Sequence, residues 1–203
     1  MSARMVLLGP PGAGKGTQAV RISERLSVPA ISTGDIFRAH VAGSTELGRR
    51  ARAYMDKGEY VPDSVTNAMV ADRLTEDDAA SGFLLDGYPR TAAQVDALDD
   101  MLSERGEALD VVVEITADAD VVVEITADAD AVVERLLGRA AEQGRADDTE
   151  PVIRRRLEVY AEATAPLAAI YEGRGLLLRV DGMGGIDEVT DRIMAALAAR
   201  LSV

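Results

Sequence analysis

Lys15 is the residue around which the candidate chemistry gathers. It closes the run Gly9-Pro10-Pro11-Gly12-Ala13-Gly14-Lys15, and Gly16 and Thr17 follow it. The glycines Gly9, Gly12, Gly14 and Gly16 let the backbone curl with its N–H groups inward. Such a nest, at the positive end of the next helix, holds phosphate. A lysine here reaches the outer phosphates, and a hydroxyl beyond it serves a magnesium ion. The spacing Gly9-x4-Gly14-Lys15 fits the phosphate-binding P-loop with one departure: Gly16 comes next, and the hydroxyl arrives a place later at Thr17. A plain linking turn is the alternative, but strand, loop, lysine and helix all fall in the required order. Among 22 lysines and arginines only Lys15 and Lys57 are lysines, and one of them stands at the phosphate position.

Three further sets of residues carry chemistry. Ile31-Ser32-Thr33-Gly34-Asp35-Ile36-Phe37-Arg38 reads as a strand end followed by an arginine one turn into a helix. That places Thr33 and Arg38 at the carboxyl edge of a sheet, where open α/β sheets bind ligands. Thr33 as a helix cap and Arg38 as a solvated charge is an equal alternative. In Gly82-Phe83-Leu84-Leu85-Asp86-Gly87-Tyr88-Pro89-Arg90, a buried strand ends in Asp86, a position suited to magnesium held through water. Arg90 can fork onto a phosphate, and Gln94 stands four residues on. Finally, Arg135, Arg139, Arg145 and Arg156 flank a glycine-containing loop, with Arg135 and Arg139 on one helix face. Such a set suggests a clamp on transferring phosphate. Of the consecutive Arg154, Arg155 and Arg156, one or two can face inward. Asp147 and Asp148 either hold these arginines or simply begin the next helix. His40 reads as a surface residue, and the methionines as core filling.

The elements that must position these residues alternate strand and helix, which implies a parallel sheet covered on both faces. Candidate strands are 5–8, 30–32, 83–86, one Val-Val-Val-Glu-Ile segment and 176–180, most of them apolar without alternation. Helices are expected at 18–26, 35–42, 46–57, 63–74, 94–107, 130–139, 151–171 and 186–201. The stretch between the second and third strands is long for a crossover and reads as a helical insert. The polar segment 140–148 has the composition of a mobile lid.

At 203 residues, 47% apolar and 28% charged, the chain reads as one ordinary globular domain. No run is long enough to span a membrane, and the first apolar run ends at once in the glycine loop. There is no cysteine, hence no disulfide and no thiolate zinc site. A cytoplasmic location is the default expectation. A net charge of −13 argues against non-specific nucleic-acid binding, so an anionic substrate must meet a local basic cluster.

Residues 110–120 read Asp-Val-Val-Val-Glu-Ile-Thr-Ala-Asp-Ala-Asp, and residues 120–130 repeat them without change. This tandem duplication, 111–120 and 121–130, is too short for a solenoid unit. The sheet has a slot for one copy. The second, Val121–Ile125, is expected there, because the surplus then leaves at the edge away from the glycine loop and forms a harmless surface loop.

Taken together, the segments beginning at Gly9, Ile31, Gly82, Glu134, Gly144 and Arg154, with Val180-Asp181-Gly182, resemble the adenylate kinase family in order and over nearly the whole chain. In the nucleoside monophosphate kinases, Gly16 before Thr17 is the expected form of the loop. The resemblance implies an α/β P-loop kinase: a five-stranded parallel sheet with helices on both faces, core 1–31, 62–138 and 149–203, an AMP-binding insert 32–61 and a short lid 139–148. It implies magnesium-dependent phosphoryl transfer from ATP to AMP giving two ADP, a place in nucleotide biosynthesis and AMP salvage, and a monomer without zinc, nucleic-acid or membrane partners. By position, Gly12, Ala13, Gly14, Lys15, Gly16 and Thr17 would hold ATP, with Arg135, Arg139 and the backbone near Gly184. Thr33, Arg38, Tyr60, Val61, Gly87, Arg90, Gln94, Arg145 and Arg156 would serve AMP, with Gln94 reading the adenine. Lys15, Arg90, Arg139, Arg145 and Arg156 would be catalytic, and Thr17 and Asp86 would serve magnesium through water or phosphate.

Two rivals remain at this level. A UMP/CMP kinase shares the fold, but Gln94 and the short lid favour AMP. A P-loop regulatory module needs neither a second arginine-bearing site nor lid arginines. The repeat also keeps open an engineered chain made to study folding.

Overall fold

The computed structural model describes residues 3–116, 129–145 and 148–201. Its centre is a five-stranded sheet, wholly parallel, in the order β2-β3-β1-β4-β5. The strands are β1 (Arg4–Leu8), β2 (Ala30–Ser32), β3 (Phe83–Asp86), β4 (Val111–Thr116) and β5 (Leu177–Asp181). The lack of alternation in the sequence has a direct cause: successive residues feed two cores. Val6 and Leu8 join Leu85, Val112, Val95, Leu98 and Tyr171 on one face, while Met5 and Leu7 join Leu84, Val113, Ile22 and Ile193 on the other. A strand buried on both faces needs apolar residues at every position.

Helices α1 (Lys15–Leu26) and α9 (Ile186–Leu201) cover the second face. Helices α4 (Asp63–Leu74), α5 (Ala92–Ser103) and α8 (Leu167–Gly173) cover the first, and α2 (Thr33–Ala42) and α3 (Glu46–Met55) pack on each other between β2 and α4. Helix α6 (Ala129–Gln143) and α7 (Glu150–Val159) carry the late arginines on a small core of their own: Val133, Leu136 and Ile153.

The repeat is the main correction. It is the first copy, not the second, that lies in the sheet: Met5 pairs with Val111 and Leu7 with Val113. Val121–Ile125 lies outside the described residues. Since both copies offer the same side chains, the chain leading in makes the choice. Only residues 104–110 separate α5 from β4, and they are tied to the amino end of β1. The Arg4 N–H donates to Asp110 Oδ2 at 2.7 Å, Asp110 N–H donates back to the Arg4 carbonyl at 3.0 Å, and Arg4 pairs with Glu107 at 2.9 Å. The first copy keeps this connection at seven residues, short enough for Glu107 to meet Arg4. In the chain the ten surplus residues therefore follow β4, directly before α6.

Two helix boundaries also differ from expectation. Helix α6 runs past Arg139 to Gln143, because Ala140, Ala141, Glu142 and Gln143 suit a helix, and it stops at Gly144 with φ +62°. The expected helix over 151–171 is interrupted by a π-helical turn, Tyr160–Thr164, closed by the Ala165 N–H on the Tyr160 carbonyl at 2.9 Å. Pro166, which has no N–H to continue the ladder, follows it.

Candidate functional site

A cleft of about 630 Å³ opens along the carboxyl ends of β1, β2 and β3. Seven arginine and lysine positions expected to carry chemistry, Lys15, Arg38, Arg90, Arg135, Arg139, Arg145 and Arg156, line it. Its carboxylates are Asp35, Glu59 and Asp86. In a chain of net charge −13, this is a strong local reversal of sign.

The glycine loop joins β1 to α1. Gly12 and Gly14 take φ values of +87° and +84°, which a residue with a Cβ rarely adopts. Gly14 caps α1, whose first-turn N–H groups open onto the cleft. Lys15 folds back over its own loop: the Nζ donates to the carbonyls of Gly9 at 2.7 Å and Pro10 at 2.9 Å. Burial in the cleft lowers its pKa to about 8, with Arg90 and Arg139 adding to the effect and Asp86 opposing it. Ala13 packs instead toward the core, so only its backbone belongs to the loop.

The opposite wall is a hydrogen-bonded frame. Ser32, not Thr33, caps α2, its hydroxyl accepting from the Asp35 N–H. Thr33 is released to donate to the Gly87 carbonyl at 2.8 Å, and Arg90 Nε donates to the same carbonyl at 2.7 Å. Gly87 has φ +79°, and a Cβ there would stand 2.7 Å from the Arg90 guanidinium and 2.9 Å from the Thr33 hydroxyl. The guanidinium lies over the Tyr60 ring, 4.9 Å from its centre. Arg38 pairs with Asp35. Gln94 is buried, and its amide is oriented from both ends: Oε1 accepts from the Arg90 N–H and Nε2 donates to Asp63, each at 2.7 Å. Each end keeps further hydrogen-bonding capacity. Val61 is buried beside this frame.

The late arginines meet at Asp148, whose side chain is 1% exposed. It accepts from Arg139 at 2.8 Å and from Arg156. Asp147 lies outside the described residues. Among the described residues Arg139 Nε is buried without a hydrogen-bond partner. Burial, with Arg38 and Arg139 nearby, lowers the Arg145 pKa; burial, with Arg156 and Arg38, does the same for Arg90. At Asp35 burial works upward, but the hydrogen bond and charge of Arg38 outweigh it and the carboxyl stays below its usual range. The cleft is thus a crowded positive field, and an anion of several charges relieves it. Of the neighbouring arginines, Arg154 turns to Asp130 and Glu150, and Arg155 to Glu59 and Glu158.

Gly184 stands outside the cleft lining, in the turn between β5 and α9. Gln18 of α1 reaches this turn, donating to the Ile186 carbonyl at 3.0 Å. Thr17 and Asp86 both line the cleft, and Asp86 Oδ2 lies 3.7 Å from where a Cβ on Gly16 would stand. Two site residues escaped the sequence reading. Asp63 looked only like a helix start after Pro62, and Thr164 had no distinguishing signal inside a helical pattern.

The family model described as adenylate kinase matches residues 7–176. A protein named adenylate kinase from Kocuria rhizophila is 63% identical over 194 residues, covering 96% of this chain and 98% of its own length. One of the same name from Pseudarthrobacter chlorophenolicus is 61% identical over 196 residues, 97% of each chain. Another, from Stenotrophomonas maltophilia, is 52% identical over 196 residues, 97% of this chain and all of its own.

Proposed function

The chain belongs to the adenylate kinase family, and we propose how its own residues carry the reaction of that family. It is a nucleoside monophosphate kinase, moving a phosphoryl group between ATP and AMP to give two ADP. Such a transfer needs little covalent help from the protein; alignment and charge neutralisation dominate. The convergence of Lys15 with Arg90, Arg139, Arg145 and Arg156 on one cleft supports this division of labour.

In this reading Gly12, Ala13, Gly14, Gly16 and Thr17 offer backbone N–H groups and a hydroxyl to the ATP phosphates. Lys15 leaves the carbonyls of Gly9 and Pro10 and moves onto the group in transfer. Arg135, Arg139 and the turn at Gly184 complete the ATP side. The frame of Thr33, Arg38, Tyr60, Val61, Gly87 and Arg90 takes AMP. Gln94, fixed by Asp63 and the Arg90 N–H, offers an oriented donor and acceptor to the adenine. Arg145 and Arg156 bridge the two nucleotides, and Arg139 Nε, without a hydrogen-bond partner among the described residues, suits a phosphate oxygen. The insert 32–61 and the lid 139–148 would close over the nucleotides and exclude water. Thr17 and Asp86 are oxygen donors at the phosphate end of the cleft, a set that suits a hydrated magnesium ion completed by phosphate oxygens. Bound with ATP, magnesium neutralises phosphate charge. The same reading takes the protein as a cytoplasmic monomer in AMP salvage. It takes the repeat as a tandem duplication of the β4 segment, supported by the identity of residues 110–120 and 120–130.

The test is a coupled assay of diphosphate formation from MgATP with AMP, UMP and CMP in parallel. AMP is expected to turn over far faster than either pyrimidine. Turnover with UMP or CMP equal to that with AMP would replace this reading by the pyrimidine one.

A further inference from the structure

Thr164 sits at the end of the π-helical turn and is 5% exposed. Its hydroxyl contacts two groups from distant parts of the chain. Oγ1 donates to the Arg90 carbonyl at 2.9 Å and lies 2.8 Å from the Tyr60 hydroxyl. A carbonyl only accepts, and a threonine hydroxyl has one proton. That proton is committed to Arg90, so Tyr60 must donate to Thr164. The result is a directed chain: Tyr60 O–H to Thr164 Oγ1, then Thr164 O–H to the Arg90 carbonyl. The same two residues meet a second time through their side chains, because the Arg90 guanidinium stacks on the Tyr60 ring at 4.9 Å. Thr164 therefore closes a loop of contacts around an arginine whose charge burial and the nearby Arg156 and Arg38 disfavour. The turn itself contributes: a wider turn before Pro166 brings both Tyr160 and Thr164 to the cleft wall.

We propose that Thr164 is a positioning residue for the AMP side of the site. It fixes the Tyr60 ring and the Arg90 backbone from the π-helical turn, so that the Arg90 guanidinium is held ready for a phosphate. The inference rests on the assignment of Arg90 and Tyr60 to AMP. Removing the hydroxyl leaves a carbonyl and a phenol without their shared partner, while the ATP side has no bond to Thr164.

The test compares Thr164→Val, which keeps the shape and loses the hydroxyl, with Thr164→Ser, which keeps the hydroxyl. Steady-state KM for AMP and for ATP is measured for each. Thr164→Val is expected to raise the KM for AMP about tenfold and to leave that for ATP within about twofold. Thr164→Ser should stay within about threefold of the parent for both. Should Thr164→Val fold poorly, Tyr60→Phe keeps the ring and removes the head of the chain, and a smaller rise confined to AMP is expected. An unchanged KM for AMP, an equal rise for both nucleotides, or a serine variant as impaired as the valine one overturns the proposal. Arg90→Gln is assayed alongside: an unchanged KM for AMP there overturns the AMP-side assignment itself, whatever Thr164 does.

Discussion

The glycine loop and the arginine group that faces it occupy one cleft but are built on opposite plans. The loop is a single contiguous segment that binds through its backbone, set between β1 and α1 with no intervening chain. The arginine group comes from separate places, Arg90 after β3, Arg139 in the last turns of α6, Arg145 just beyond it, Arg156 in α7, and binds through side chains. Backbone donors are fixed by the fold and need no counter-charge. Side-chain cations in a half-buried cleft repel one another until something negative holds them. Before a ligand arrives, Asp148 and Asp35 do this from within. The loop is thus organised by conformation and the arginines by charge, and the two halves should fail differently.

The sharpest contrast is expected at Lys15, the one charged side chain in the loop. Lys15→Met should leave the nest of N–H groups and the fold intact while lowering kcat by about 10³-fold or more, with modest change in either KM. Single-turnover and steady-state rates check it. A large rise in the KM for ATP at unchanged kcat would make Lys15 an anchor rather than a stabiliser of the transferred group, and would erase the distinction between the halves.

On the arginine side the largest effect should be on stability. Asp148→Asn removes the charge between Arg139 and Arg156 from a nearly inaccessible position. Breaking such a buried arrangement costs on the order of 3 kcal/mol, since both arginines keep some contact with solvent. Denaturant unfolding without ligand should show the loss, and saturating ATP with AMP should restore much of it, because phosphates then supply the missing charge. Equal losses with and without nucleotides would mean that Asp148 serves packing alone.

The same division explains what could be read from the sequence. The loop was legible because conformation demands fixed residue types at fixed spacing: Gly12, Gly14 and Lys15 declare themselves. The β3 end, Asp86 to Arg90, was legible for the same reason. The arginines, Arg156 rather than Arg154 or Arg155 among them, could be named as candidates, but whether Asp148 holds them or only begins the next helix, and that it joins Arg156 to Arg139, stayed open. Those outcomes depend on where α6 stops and where α7 begins. Asp63 and Thr164 act only across the fold, and no local pattern marks them. The choice between the copies of the β4 segment went the wrong way for a related reason. Identical strands carry no local difference, and the short turn from α5 decided it through its ties to Arg4.

The pH dependence of stability should also separate the halves. The Lys15 pKa lies at about 8 in the fold, against about 10.5 in an unfolded chain. Between these values the unfolded chain holds a proton that the folded one does not, so stability rises with pH across that window. The contribution is at most about 3 kcal/mol, less what the solvent reaching the cleft screens. Tyr88, Tyr160 and Tyr171, whose phenols burial pushes up, work in the opposite direction at the alkaline end. They do so equally in Lys15→Met, and the difference between the two unfolding curves from pH 8 to 10.5 isolates Lys15. Identical curves would mean that the ammonium is fully solvated and that the loop does not enclose it.

The smallest expected effect concerns how each half is joined to the sheet. β1 passes directly into the glycine loop, whereas residues 117–128 stand between β4 and α6, the helix that carries Arg135 and Arg139. Deleting 117–126 leaves one copy of the repeated sequence, with 127 and 128 as the connection. The same chain results from deleting 111–120, so the outcome does not depend on which copy is removed. Since β4 takes all its pairing from Val111–Thr116, the sheet register should be unchanged. Each halving of a connection's length returns about 0.6 kcal/mol of closure entropy, which amounts to roughly 1.5 kcal/mol here. For a chain of this size that is a rise of about 3–6 °C in Tm, with activity retained. A lower Tm, or loss of activity with the fold intact, would show that α6 needs the added chain to bring its arginines to the loop, and that the longer connection is part of how the second half of the site is assembled.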